Sequence, residues 1–192
     1  MKSVASVCAL SACLAGCAFG NRTAKLTYPP EDAAAPPAAT AAVVLLAPED
    51  KRPEPRKVVG FVRNGFYMHT ADVETQDDVG AWVREALKRE LVRAGIAVVE
   101  DPAAAAKLGT VVTEVHSDAW FSYSGKVALD IVIERQAGQP VRESIIGESG
   151  GGVNWASTGD SHADVLAAAV QDAARKAAVL VRKALGEGVP KA

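Results

Sequence analysis

Cysteine is scarce in this chain, and its three residues, Cys8, Cys13 and Cys17, all lie near the start. Disulfides, cysteine zinc sites and a cysteine nucleophile are therefore excluded from the sequence that follows Cys17. An excess of positive charge is also missing, since the formal net charge is -2. Phosphate binding needs lysine and arginine clustered on one face, so we do not expect a nucleic-acid-binding function.

The apolar run near the start of the chain is too short to cross a bilayer. It covers Val4 to Ala15 after Lys2, about a dozen residues where a spanning helix needs roughly 20. Such a run fits the core of a secretory signal, and it ends in Leu14-Ala15-Gly16-Cys17, the pattern of a lipoprotein signal. We expect cleavage before Cys17 and lipidation of its thiol. An ordinary signal peptide with a chance cysteine is the alternative.

Lipidation of Cys17 predicts a protein held at a membrane surface. Each buried acyl methylene contributes about 0.8 kcal/mol, and two or more acyl chains make a stable anchor. Ala18 follows the lipidated position, where an aspartate usually favours retention in the inner membrane of diderm bacteria. The sequence therefore predicts a lipid anchor in the outer membrane, with the folded part facing the periplasm.

The composition predicts one domain behind a flexible connection. Residues 17–40 combine the lipidated cysteine with a segment rich in alanine and proline, which has too little bulky apolar surface to offset its ordering entropy. We interpret this segment as a tether that lets the domain stand clear of the lipid headgroups. The predicted organisation is a signal peptide over 1–16, the tether over 17–40, a single α/β domain over 41–187 and a tail over 188–192.

Two amphipathic helices are predicted, over Asp78–Ala94 and His162–Leu185. In each, apolar residues recur every three or four positions, and a glycine follows as the stop, Gly95 for the first helix and Gly186 for the second. The charged residues of the second helix exclude a membrane span. Each helix therefore has one narrow apolar stripe with which to cover a sheet.

Strands are predicted where short apolar or alternating runs are bounded by turn residues: Ala42–Ala47, Val58–Val62, Phe66–Met68, Ile96–Val99, Leu108–Asp118, Lys126–Glu134 and Val141–Gly147. Asn64-Gly65 predicts a hairpin between two of them. The run Gly150-Gly151-Gly152 is expected to end regular structure. Together the elements predict an α+β fold, a two-layer sandwich with a mixed, mostly antiparallel sheet and both helices packed on one face.

Three short motifs accompany this order of elements. They are Leu14-Ala15-Gly16-Cys17 at the start, Asp50-Lys51-Arg52 after the first strand, and Arg93-Ala94-Gly95-Ile96 at the end of the first helix. With them the chain resembles the YajG-like family of bacterial outer-membrane lipoproteins over most of its folded part. The resemblance implies an envelope lipoprotein and transfers no catalytic residue.

Two patterns in the sequence are candidate sites of chemistry. The run from Gly147 to Gly151 matches the G-x-S-x-G nucleophile motif, but the motif needs a helix directly after the serine and here glycine follows. Glu114, His116 and Asp118 alternate along a predicted strand and share a face, where they could hold a metal or act as acid and base. A solvated strand face is the simpler interpretation. We therefore predict no enzyme, no metal site and no cofactor.

Aromatic residues in two predicted loops form the candidate contact surface. Trp120, Phe121 and Tyr123 lie between two strands, and Trp155 precedes the last helix. Such residues either grip a glycan or a partner or cap the end of the core. The leading hypothesis is a non-enzymatic, lipid-anchored domain that is presented to an envelope protein partner. The alternative is a glycan- or lipid-binding module that uses these aromatic side chains.

Overall fold

An open sheet of nine strands and two helices form the part of the chain that the structure, a computed structural model, describes: residues 20–29, 37–100, 106–154 and 157–186. The strands are β1 (Arg22–Thr23), β2 (Ala41–Leu45), β3 (Glu49–Asp50), β4 (Val58–Arg63), β5 (His69–Glu74), β6 (Ile96–Val98), β7 (Ala106–Ala119), β8 (Ser122–Glu134) and β9 (Val141–Val153). The helices are α1 (Val79–Arg93) and α2 (Gly159–Ala184). The predicted α+β fold is confirmed.

The long strand β7 organises the sheet. On one side it pairs in parallel with β2 near its start, with β3 in its middle and with β4 near its end. On the other side it pairs antiparallel with β8, which pairs antiparallel with β9. Beyond β4 lie β5 and then β1, and beyond β2 lies β6. The parallel pairings cover only two or three residue pairs each, so the long antiparallel ladders dominate, as the sequence predicts.

Alternation along the strands gives the sheet one buried face. Leu108 and Val112 of β7 and Leu129 and Ile131 of β8 are almost fully buried, while their neighbours in sequence are partly exposed. Helix α2 packs across β8 and β9, and α1 packs against α2 and β6 in the same core. Among the described residues, neither helix has the length and hydrophobicity that crossing a membrane requires. The opposite face of the sheet is left uncovered by the helices.

Side-chain caps fix where the helices begin. Asp78 accepts a hydrogen bond from the backbone N–H of Ala81 at 3.0 Å, so α1 starts where the periodicity predicts. Helix α2 starts at Gly159, slightly before the predicted His162, because Thr158 supplies the cap. Gly95 follows the end of α1 with φ near 76°, in the left-handed region, which confirms it as the stop.

The run Gly150-Gly151-Gly152 does not end the sheet, so that prediction is wrong. Strand β9 continues through it to Val153, because β8 extends back to Ser122 and supplies a partner for the extra residues. A Cβ at Gly151 would lie 2.8 Å from the side chain of Val165 in α2. Gly151 therefore lets α2 approach the strand closely, whereas a Cβ at Gly150 or Gly152 would meet nothing within 4 Å.

The segment Phe66–Met68 is a turn and not a strand. Asn64 turns the chain, since its Oδ1 accepts hydrogen bonds from the backbone N–H groups of Phe66 at 3.0 Å and Met68 at 3.1 Å. The returning strand, β5, begins only at His69. The hairpin at Asn64-Gly65 is confirmed, but the apolar residues Phe66–Met68 belong to its turn and are not paired as a strand of the sheet.

Residues 21–28 belong to the folded domain, so the predicted tether is wrong for this segment. Strand β1 pairs in parallel with β5, and Ala24 and Leu26 are buried. The indole N–H of Trp82 donates to the backbone carbonyl of Thr27 at 2.6 Å. Short apolar residues at alternating positions suffice to dock this segment. The signal peptide over 1–16, Cys17 and the tail over 188–192 lie outside the described residues, as does the middle of the predicted tether.

Candidate functional site

Two neighbouring β-turns expose a group of large apolar side chains at one end of the sheet. The end of β4 lies beside the end of β7, with Val62 opposite Ala119, so the β4–β5 and β7–β8 turns are adjacent. We call the exposed side chains of these turns the tip patch: Phe66, Tyr67, Met68, Trp120 and Phe121. Phe66 is 86% exposed and Phe121 is 63% exposed. Groups of this kind on a protein surface mark interaction sites.

Contacts between the aromatic rings join the two turns. Tyr67 meets Trp120 edge-on with ring centroids 5.0 Å apart, and Trp120 lies 4.3 Å from Phe121. The guanidinium of Arg63 lies 4.3 Å from the centre of the Tyr67 ring and is paired with Asp118 at 2.6 Å. These contacts hold the rings of Tyr67, Trp120 and Phe121 against one another across the two turns.

The backbone of Tyr67 is strained. Its φ of 64° lies in the left-handed region, which costs a residue other than glycine about 1 to 3 kcal/mol. Asn64 holds the residue there, because its carbonyl accepts a hydrogen bond from the Tyr67 N–H at 2.9 Å. The strain places the tyrosine ring against Trp120 while Phe66 and Met68 remain exposed. Strain of this kind is typical of functional positions.

The aromatic residues that the sequence grouped together are separated by the structure. Trp120 and Phe121 lie on the tip patch, but Tyr123 is a core residue with its hydroxyl donating to Asn154 Oδ1 at 3.0 Å. Trp155 lies outside the described residues. Partner contact through Trp120 and Phe121 stays a prediction.

Three members of the tip patch, Phe66, Tyr67 and Met68, were missed by sequence reasoning. The available signal was their position directly after Asn64-Gly65, where large apolar side chains belong either to a strand or to an exposed turn. Only the pairing of β5 from His69 onward decides between the two.

The row of Glu114, His116 and Asp118 does share the uncovered face of β7, but its acids are paired with bases. Glu114 lies 2.7 Å from Lys126, and Asp118 is bound to Arg63. Burial lowers the pKa of the His116 imidazole. No group of three side chains that could hold a metal is found in the described part of the chain. These ion pairs favour a structural role for the row.

Ser149 of the G-x-S-x-G motif lies inside strand β9 and is not followed by a helix. Its hydroxyl donates to the backbone carbonyl of Val165 in α2 at 2.6 Å. The motif needs a sharp turn between strand and helix that exposes the serine. Here the serine instead fastens α2 to the sheet.

A cleft of about 410 Å³ lies between the β3–β4 loop and the uncovered sheet face. Its lining combines apolar and polar side chains: Arg52, Pro53, Glu54, Pro55, Val58, Phe61, Thr113, Glu114, Val115 and His116. The buried Arg52 fixes the loop, because its guanidinium makes two hydrogen bonds to Asp50 and donates to the carbonyl of Arg56 at 2.7 Å. Burial alone would raise the pKa of Asp50, but these bonds lower it. The volume lies within the range of small-molecule sites.

Comparison with known proteins supports the fold. No family model matches the chain, and no curated protein matches its sequence. A solved structure of a DUF330-family protein from Xanthomonas campestris is similar, with 14% identity, coverage of 86% of this chain and 97% of that chain, and a TM-score of 0.56. The structure of an uncharacterised protein gives 13% identity, coverage of 85% and 99%, and a TM-score of 0.53.

A third solved structure, lipoprotein GNA1162 from Neisseria meningitidis, is 12% identical. The match covers 77% of this chain and 99% of that chain, with a TM-score of 0.37, which is too low to carry an argument. The first two likenesses show that the α+β fold is shared over most of the chain. They do not single out the YajG-like family, which the sequence motifs resemble.

Proposed function

We propose that the protein is a non-enzymatic lipoprotein, anchored in the outer membrane through Cys17, that presents its domain to a protein partner on the periplasmic side. The main support for this proposal is that only a few residues lie between the lipoprotein signal and the folded domain. Asn21, four residues after Cys17, already accepts a hydrogen bond from the Asp72 N–H and donates one to Glu74. An acylated Cys17 would fasten the domain directly to the bilayer.

Replacing the anchoring cysteine is expected to abolish lipidation. In cells fed labelled palmitate, Cys17→Ser should incorporate no label and should leave the outer-membrane fraction, because the serine hydroxyl cannot form the thioether. Cys13→Ser is the matched control, since Cys13 lies in the segment that is removed, and it should behave like the wild type. Palmitate retained by Cys17→Ser would contradict the proposal.

The uncovered sheet face is the surface we assign to the partner. The alternative surface, the edge of β9, is partly closed by α2. Asp172 accepts a hydrogen bond from the backbone N–H of Glu148 at 3.1 Å, and Lys176 donates to the carbonyl of Ile146 at 2.8 Å. Side chains that occupy edge groups in this way oppose pairing with another strand.

A photo-crosslinking residue placed on each face tests this assignment in intact cells. Ile146 lies on the uncovered sheet face and is 46% exposed, and Val179 lies on the outer side of α2 and is 51% exposed. The probe at position 146 should give one product of defined mass, and the probe at 179 should not. Products from both positions alike, or from neither, would count against a partner on this face.

A ligand-binding module is the second candidate, and the cleft beside Phe61 and His116 favours it. One wall of the cleft is the β3–β4 loop that Arg52 fixes, and the ring of Phe61 offers a surface on which a sugar or an acyl chain could lie. Titration with cell-wall fragments or lipopolysaccharide should then shift the NMR signals of His116 and leave the fully buried His162 unchanged. Unchanged His116 signals would remove this candidate.

A further inference from the structure

We propose that the tip patch rests in the headgroup layer of the same bilayer that holds the lipid anchor, so that the domain stands on the membrane with its strands steeply inclined to the surface. The inference rests on the proposed anchor at Cys17. It adds a second membrane contact, made by protein side chains, and it fixes which end of the domain faces the lipid.

The direction of β1 determines the end of the sheet at which this strand begins. Arg22 lies opposite Val73 and Thr23 opposite Glu74 in a parallel pairing. Because the two strands are parallel, the N-terminal end of β1 lies at the same end of the sheet as the N-terminal end of β5. That end of β5 is His69, the residue directly after Met68 of the tip patch. At Arg22 the chain therefore enters the sheet from the end at which the tip patch lies.

The sequence between Cys17 and Asn21 is short enough to limit how far the lipid can be from the sheet. Asn21 follows Cys17 by four positions, and a fully extended chain over four Cα–Cα steps reaches at most about 14 Å. Along β5, the distance from the level of Asp72 back to His69, which adjoins the tip patch, is about 10 Å. The reach of this short segment therefore allows the lipid and the tip patch to meet one membrane surface.

The side chains of the tip patch are of the types that favour the boundary between lipid and water. Tryptophan and tyrosine have an apolar ring and a polar group, and they are enriched where hydrocarbon meets water. Neither turn contains an acidic residue, in the range 64–68 or at 120–121, so no carboxylate would have to be desolvated. Phe66, Met68 and Phe121 are the side chains that gain most from leaving water.

A lipid surface fits these constraints better than a protein. The anchor brings the bilayer to this end of the sheet, and a protein partner would have to enter between the two. The opposite end, at the β8–β9 turn, lies about 40 Å away along the thirteen residues of β8. The uncovered sheet face and the cleft then rise from the membrane and stay accessible from the periplasm.

Two single cysteines, carrying an environment-sensitive fluorophore, test the orientation in the full-length lipidated protein. Once Cys17 is acylated, the mature chain has no free thiol. Gly65→Cys reports on the tip, where an added Cβ meets nothing within 4 Å. Ala137→Cys, in the exposed β8–β9 turn, is the matched control at the far end. The proteins are reconstituted into vesicles of phosphatidylethanolamine and phosphatidylglycerol.

The label at position 65 should be quenched by iodide several-fold less than the label at 137, and it alone should be quenched by lipids that carry a spin label. Adding Phe66→Ser and Phe121→Ser should restore access of iodide to position 65 without releasing the protein from the vesicles. Equal access of iodide to both labels on vesicle-bound protein would overturn the orientation while leaving the anchor intact. Shielding at 65 without quenching by lipid would show a protein contact instead, and loss of vesicle binding would refute the anchor itself.

Discussion

Replacing Gly147 by alanine is expected to lower the free energy of unfolding by about 3 kcal/mol or more. Strand β9 passes under α2 at this residue. A Cβ there would lie 2.2 Å from the carbonyl oxygen of Ala169 and 2.4 Å from the backbone nitrogen of Ala173. Because both are backbone atoms, no change of rotamer relieves the contact, and the helix would have to move away from the sheet.

Gly150→Ala, in the same strand, is the matched control for Gly147→Ala. An added Cβ at Gly150 meets nothing within 4 Å, so the substitution should be neutral or stabilise by up to about 1 kcal/mol through the unfolded chain. Urea denaturation of both variants measures the difference. Similar midpoints for the two variants would contradict the close packing of α2 on β9.

Acidification from neutral pH to about pH 4 is expected to remove about 3 kcal/mol of stability through one buried histidine. His162 is fully buried between α2 and β7. Its Nδ1 lies 2.9 Å from Ser117 Oγ, and its Nε2 lies 3.0 Å from Ser157 Oγ. Since the Ser117 hydroxyl donates to the carbonyl of Val59, Nδ1 carries the proton in the neutral ring and Nε2 accepts from Ser157.

The sign of this pH effect follows from the burial of His162. Burial lowers the pKa of His162 to about 4, whereas in an unfolded chain it is about 6.5. Between these values the unfolded state binds more protons, so stability is complete above pH 6.5 and falls as the pH falls toward 4. Asp50 and Asp172, whose pKa values are also lowered, lose their contributions only at more acidic pH.

Urea denaturation at several pH values checks the effect of His162. His162→Gln should lower stability at neutral pH and should lose most of the dependence between pH 6.5 and 4. His116→Gln is the comparison variant. Burial lowers the pKa of His116 as well, on the uncovered face of the sheet, so this variant should lose a smaller part of the pH dependence than His162→Gln. A wild-type stability that stays constant down to pH 4.5, or an unchanged slope in His162→Gln, would show that His162 is not the responsible group.

The helices and the central strands could be predicted because their signals are local. The apolar stripe of α1, closed by Asp78 at its start and Gly95 at its end, depends on residues within one element. The alternation in β8 likewise appears directly in the sequence, and Ile131 and Ile133 lie in the core as expected. The fold class followed from these elements.

The joining of the β4–β5 and β7–β8 turns into the tip patch could not be predicted, and neither could the docking of segment 21–28, because both depend on contacts distant in sequence. In sequence, Ala24, Leu26 and Tyr28 lie in a segment with the composition of a tether. Their place in the core depends on contacts with β5 and α1, which are distant in sequence. The prediction that β9 ends at Gly150-Gly151-Gly152 failed for the same reason, since pairing with β8 carries the strand through to Val153. Phe66–Met68 resembles a strand until β5 is paired.

The mass of the mature N-terminal peptide tests the account most directly. Both the proposed function and the proposed orientation require that lipid be attached four positions before Asn21, which among residues 20–29 is the first to hydrogen-bond to the sheet. Mass spectrometry of protein from the membrane fraction should find Cys17 as the first residue, carrying a diacylglyceryl thioether. An unmodified thiol at Cys17, or a mature chain that begins at another residue, would contradict the account.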